Sequence, residues 1–131
     1  MGKQSVESLL KWIDQSPTPF HVVDTARKKL TDHGFVDQQF LGDDLHQRGF
    51  LAQDGAIIAW SLGIKNAPLR VIGAHTDSPN LRVQPNPDIN TAGWSQLGIE
   101  IYGGVLLNSW LDRDLGIAGR IVCADGTVHL F

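Results

Sequence analysis

Gly73-Ala74-His75-Thr76-Asp77-Ser78-Pro79 sets a histidine, and two residues on an aspartate, directly after the apolar run Leu69 to Ala74. That run reads as a strand, so both polar side chains stand at its carboxyl end, where ligands of open α/β sheets gather. Imidazole is a common metal ligand. A carboxylate near it can hold the other ring nitrogen, fix the tautomer and raise ligand basicity. The same spacing also suits a strand end whose polar residues simply close a turn, with Ser78-Pro79 ending the strand. Spacing alone leaves both readings open.

Other constellations are weaker. The sequence has no His-Glu-x-x-His, no Cys-x-x-Cys, no phosphate loop and no dinucleotide fingerprint. Gly93-Trp94-Ser95-Gln96-Leu97 comes near a nucleophile elbow, but Leu97 stands where the second glycine makes the sharp turn. Asp112 and Asp114, two apart, would share a face of a strand as paired carboxylates; a structural ion-pair role is the competing reading. His21 suits helix packing or capping, and His33 the last turn of a helix, where a cation suits the dipole. His46 and His129 have no nearby ligand-type cluster. Trp60, Trp94 and Trp110 read as core or interface.

The elements that must hold these residues can be read in part. Val6, Leu9, Leu10 and Ile13 recur at helical spacing, with Ser5 as a cap and Pro17 as a stop. A second helix has Thr18 as N-cap, Pro19 at its first position and Gly34 past its end, with Phe20, Val23, Ala26 and Leu30 as the buried stripe. Arg27, Lys28 and Lys29 form its solvated face. Ala56 to Leu62 reads as a strand, a candidate for burial on both faces. Asn86 to Gly93 is the most linker-like segment and marks a boundary. Ile99 to Tyr102 is a further strand. Gly119 to Phe131 is a hairpin turning at Asp125-Gly126, a register that pairs Cys123 with Val128 and Ile121 with Leu130 and makes Cys123 a small core residue. The hairpin runs flush to Phe131, as in a chain cut in mid-fold.

Composition limits the partners. The 131 residues are 42% hydrophobic, with 11 basic and 14 acidic side chains and a formal charge of −3. Without a basic run, nucleic acid is not the expected partner. One cysteine excludes an intrachain disulfide. The N-terminus lacks the apolar run of a signal peptide, and no stretch approaches the roughly 18 apolar residues of a membrane span. A soluble, cytoplasmic chain with no membrane partner is expected.

Longer words sharpen the first constellation. His75-Thr76-Asp77-Ser78-Pro79-Asn80-Leu81-Arg82-Val83 resembles the metal-binding signature of the aspartyl aminopeptidase family of dinuclear zinc exopeptidases. Ser16-Pro17-Thr18-Pro19-Phe20-His21 resembles the family's N-terminal signature. Tyr102-Gly103-Gly104, Trp110-Leu111-Asp112-Arg113-Asp114-Leu115 and Ala118-Gly119-Arg120 together resemble a third. Val105-Leu106-Leu107 departs from the family, which usually carries a third glycine and a more polar run there.

The resemblance implies that His75 is a zinc ligand and Asp77 the catalytic-site acid that orients the site. It implies two zinc ions in the complete site, a peptide substrate with an acidic N-terminal residue, and a homo-oligomer. Arg82 and Arg113 could attract such a carboxylate, though surface pairing explains both. The Asp112-Arg113-Asp114 element is not a ligand set in the family. The implied fold is α/β: residues 1–86 as the N-terminal part of a zinc-exopeptidase sheet domain, and residues 87–131 as the opening strands of an inserted β-rich oligomerisation domain. The expected activity is that of a zinc metalloaminopeptidase, present here as an apparently incomplete chain. The alternative is a catalytically inactive fragment with a structural or assembly role, because one credible ligand does not make a zinc shell.

Overall fold

The computed structural model describes residues 2–42, 44–65 and 67–131. Two helices, α1 (Lys3–Asp14) and α2 (Pro19–Asp32), precede β1 (Val36–Asp37), β2 (Arg48–Gln53) and β3 (Ala56–Ser61). Then come β4 (Asn80–Thr91), β5 (Trp94–Tyr102), a short 3-10 turn at Leu107–Ser109, β6 (Arg120–Val122) and β7 (Val128–Leu130). The chain through Thr76, together with Ile117–Phe131, makes one compact unit, and Asp77–Gly116 makes a second.

In the first unit α2 follows its sequence punctuation. The Thr18 hydroxyl accepts from the His21 backbone N–H at 3.4 Å, Pro19 opens the helix, and Gly34 takes φ +77° beyond its end. That pairing of proline inside the start and glycine past the end is what helix termini require. Val23 and Ala26 of α2 and Phe50 of β2, which is 1% exposed, are the buried hydrophobic side chains among the described residues. The solvated face carries pairs of its own, Arg27 with Asp37 at 2.5 Å and Lys28 with Asp24 at 2.6 Å. Helix α1 begins at Gly2 rather than at Ser5, whose N–H donates to the Gly2 carbonyl at 2.9 Å from inside the first turn. Its apolar stripe of Val6, Leu9, Leu10 and Ile13 stays more than half exposed.

The three-stranded sheet runs β1-β2-β3, with β2 parallel to β1 and antiparallel to β3. Among the described residues strand β3 is therefore an outer strand with one ladder partner, not one buried on both faces, and Ile58 is exposed. Asp54 and Gly55 alone link Gln53 to its partner Ala56, with Asp54 at φ +51°. Gly49 lies opposite Trp60, and a side chain there would meet the indole Cζ2 at 2.5 Å. The indole cannot easily yield, because its N–H donates to the His46 carbonyl at 3.0 Å.

Leu69 to Ala74, expected as a strand, has no regular structure. A strand exists through ladder bonds to a neighbour, and no strand among the described residues pairs with this run, whose Ile72 is 98% exposed.

The second unit is built on a long hairpin. Strands β4 and β5 pair from Asn80 opposite Tyr102 to Thr91 opposite Trp94. Ala92 and Gly93, at φ +51° and +83°, form the two-residue turn, both in the left-handed region that matches strand twist. The linker expected at Asn86 to Gly93 is thus strand and turn. Its proline and asparagine content marks a break in pairing between Val83 and Asp88, where Pro85 and Pro87 have no N–H to give the ladder. The Gln84 side chain spans the gap, donating to the Ile99 carbonyl at 3.2 Å.

Strands β6 and β7 form the expected hairpin with a register one residue different. Val122 pairs with Val128 and Ile121 with His129. Cys123 N–H donates to the Thr127 carbonyl at 2.8 Å, and Gly126 N–H to the Cys123 carbonyl at 2.9 Å with Gly126 at φ +85°. This is a three-residue loop in which glycine takes the left-handed position, rather than a two-residue Asp-Gly turn. Asp125 helps to set it: its carboxylate accepts from the Thr127 N–H at 2.9 Å, which holds the acid below its ordinary value. The shift leaves Cys123 exposed instead of in a core.

Candidate functional site

The Asp54-Gly55 turn is where the first unit gathers its signature residues. Thr76 donates its hydroxyl hydrogen to the Gly55 carbonyl at 2.7 Å. A side chain on Gly55 would stand 3.0 Å from Cβ of Pro19, so the glycine lets the turn lie against the start of α2. Arg120 donates to Asp54 Oδ1 at 2.7 Å and lays its guanidinium 4.1 Å from the centre of the Phe20 ring. Residues from the three sequence words (Pro19 and Phe20, Thr76, Arg120) therefore meet at one β-turn. His75, next to Thr76, is exposed and lies in an irregular segment rather than at a strand end. The Thr76 hydroxyl, one residue on, ties this segment to the β2–β3 turn.

Asp77 opens the second unit and is part-buried. The Tyr102 hydroxyl donates to its Oδ2. That bond, reinforced by the carboxylate's charge, holds the phenol above the ordinary tyrosine value of 10.0. Arg82 places its guanidinium carbon 3.4 Å from the centre of the same ring. The register explains the contact: Asn80 opposes Tyr102 and Arg82 opposes Glu100, so all four share one face and Arg82 is the diagonal neighbour of the tyrosine. Gly103, at φ +71°, turns the chain away after Tyr102, and a side chain there would touch Pro79 at 3.4 Å. Asn80 Nδ2 donates to the Ser78 carbonyl at 3.0 Å, while its buried Oδ1 has no hydrogen-bond partner.

The remaining candidates take structural places. Asp112 sits in a turn at φ +52°, so Asp112 and Asp114 do not share a strand face. Arg113 donates to the Ser109 carbonyl at 3.3 Å. His21 Nδ1 lies 2.8 Å from the Thr18 hydroxyl at the helix start, and His33 Nδ1 lies 2.7 Å from the Lys29 carbonyl at its end. Trp94 is largely exposed, and Trp60 is pinned to His46. A cleft of about 350 Å³ beside α2, walled by Trp12, Leu30, Phe35 and Arg48, contains neither His75 nor Asp77.

Among the described residues no three His, Cys, Asp or Glu side chains converge as a metal shell. Catalytic zinc takes three protein ligands and an open position. The His75 imidazole suits one place in such a shell by its chemistry, and the described residues do not furnish the others. The role of Tyr102 is not readable from the Tyr102-Gly103-Gly104 word alone. The visible signal was a hydroxyl-bearing aromatic in that word, followed by a glycine able to turn the chain.

The model of the aminopeptidase I zinc metalloprotease (M18) family matches residues 12–129. The chain belongs to that family. A probable M18 family aminopeptidase 2 of Streptomyces avermitilis is 45% identical over 129 residues, which cover 95% of this chain and 30% of the relative. The crystal structure of an M18 family aminopeptidase from Thermotoga maritima superposes with a TM-score of 0.79 at 27% identity, covering 99% of this chain and 30% of the other. The S. cerevisiae mApe1 dodecamer gives 0.74 at 30% identity, covering 95% and 31%. The fold is thus that of an N-terminal part of the exopeptidase fold, and the chain spans about 30% of the length of the curated relative. Among the described residues no helix is long and apolar enough to cross a membrane.

Proposed function

We propose that the intact chain, the natural reading frame that carries these residues, is a zinc-dependent aminopeptidase that removes N-terminal amino acids, acidic ones by preference, from peptides. The family match over residues 12–129 carries this reading. His75 is one zinc ligand, and Asp77 is the carboxylate that orients the site. Thr76 anchors the segment that presents His75 by holding the Gly55 carbonyl. Zinc, as two ions when bound, supplies a water of lowered pKa and polarises the scissile carbonyl. Hydrolysis adds water across the first peptide bond: oxygen joins the carbonyl carbon, and the amine leaves with a proton. The dodecameric relative supports a homo-oligomer as the working form. Residues 87–131 are the opening of the inserted β-rich oligomerisation module.

The 131 residues by themselves do not turn over peptides, because a single histidine cannot complete a catalytic shell. The test is hydrolysis of peptides beginning with aspartate, glutamate or leucine by the zinc-loaded intact chain and by the 131-residue chain, each before and after chelation. Turnover by the intact chain alone, fastest on the acidic peptides and lost on chelation, is expected. Turnover that survives chelation, or none from the zinc-loaded intact chain, would contradict the reading.

A further inference from the structure

We infer that Tyr102 is a positioning residue for Asp77, fixing the carboxylate through its hydroxyl while Arg82 clamps its ring. The inference rests on the proposed role of Asp77 and adds to it the residue that makes the carboxylate effective. A lone carboxylate rotates about two side-chain bonds. One that orients a metal site must be held, and partners of this kind tune a site nearly as strongly as its ligands.

Three features converge on that hold. The Tyr102 hydroxyl donates to Asp77 Oδ2, which occupies one oxygen and restricts the carboxylate's rotation. The ring giving that bond is itself fixed, by the β4–β5 ladder opposite Asn80 and by the Arg82 guanidinium 3.4 Å from its centre. On the other side Gly103 follows Tyr102 close to Pro79, and a Cβ at position 103 would stand 3.4 Å from the proline, at van der Waals contact. What favours glycine at 103 is its backbone, at φ +71° in the left-handed region. The Tyr102-Gly103 pair is thus a tyrosine that reaches the carboxylate and a glycine that turns the chain directly after it.

The test uses the intact chain with Tyr102→Phe, which keeps the ring and removes only the hydroxyl, with Asp77→Asn, and with both together. His75→Ala serves as the reference for the functional reading. Zinc affinity is read by competition with a chromogenic chelator, and kcat and KM on an N-terminal peptide substrate. Tyr102→Phe is expected to lower zinc affinity or kcat by about 10- to 100-fold, as loss of such partners does, with KM little changed. The double variant is expected to fall no further than Asp77→Asn alone, since Tyr102 acts through the Asp77 carboxylate that this change already removes. Wild-type affinity and kcat in Tyr102→Phe, or losses that multiply in the double variant, would overturn the inference while Asp77→Asn and His75→Ala still report on the functional reading. If His75→Ala and Asp77→Asn both keep full zinc affinity and turnover, that reading itself falls and takes this inference with it.

Discussion

Thr76 and Gly55 are joined by a hydroxyl-to-carbonyl hydrogen bond of 2.7 Å, which ties the histidine-bearing segment to the β2–β3 turn. Leu69 to Ala74 gains no ladder bonds of its own, so this bond fixes a segment that strand pairing does not. Thr76→Val keeps the shape and removes the donor. It is expected to cost the intact chain about 1 kcal/mol, the usual net worth of one such bond, seen as a lower urea midpoint at unchanged slope. An unaltered midpoint would mean that the segment is held by other contacts.

Gly49 has a similar role in the sheet. Its missing side chain is the space that Trp60 fills across the β2–β3 ladder. Gly49→Ala would need the indole to move off a site fixed by its bond to the His46 carbonyl. Overpacking of this kind costs about 1–3 kcal/mol. The check is the denaturation midpoint, together with Trp60 fluorescence in a background where the other tryptophans are replaced. A variant as stable as the parent would show that the indole repacks freely.

Tyr102 gives a pH signature. It is the only tyrosine of the 131 residues, so phenolate absorbance in this chain reports on it alone. Asp77 holds the phenol above 10.0 in the folded state, and the neutral form is therefore the one the fold favours. Its stabilisation is complete below the ordinary tyrosine range and is lost as pH rises through the folded value. Asp77→Asn removes the acceptor's charge and leaves only a neutral amide oxygen to accept from the hydroxyl, while Arg82 goes on favouring the phenolate, so ionisation should move to lower pH. An unchanged titration in Asp77→Asn would show that the carboxylate does not control the phenol.

Much of the first unit was legible because its signals are local. Thr18, Pro19 and Gly34 punctuate α2 whatever packs on it, and the apolar stripe around Val23 and Ala26 names its buried side. The errors lie where partners decide. Ala56 to Leu62 is apolar enough for an inner strand, but only ladder partners set inner or outer, and among the described residues β3 has one. Asn86 to Gly93 has the composition of a linker, yet a strand tolerates Pro85 and Pro87 where its pairing breaks. The last hairpin turned on a single residue, since Asp125-Gly126 serves a three-residue loop as well as a two-residue one. At the site, His75 and Asp77 were visible as types at a spacing. The tyrosine that reaches Asp77 lies 25 residues away in sequence, and only the β4–β5 register brings it there.

Zinc content of the intact chain, measured alongside peptide turnover in the wild type and in His75→Ala, tests the central claim most directly. If His75 is a ligand, the variant loses tightly held zinc and turnover together, and added zinc restores turnover poorly. Full zinc occupancy with undiminished turnover in His75→Ala would contradict the assignment and the mechanism built on it.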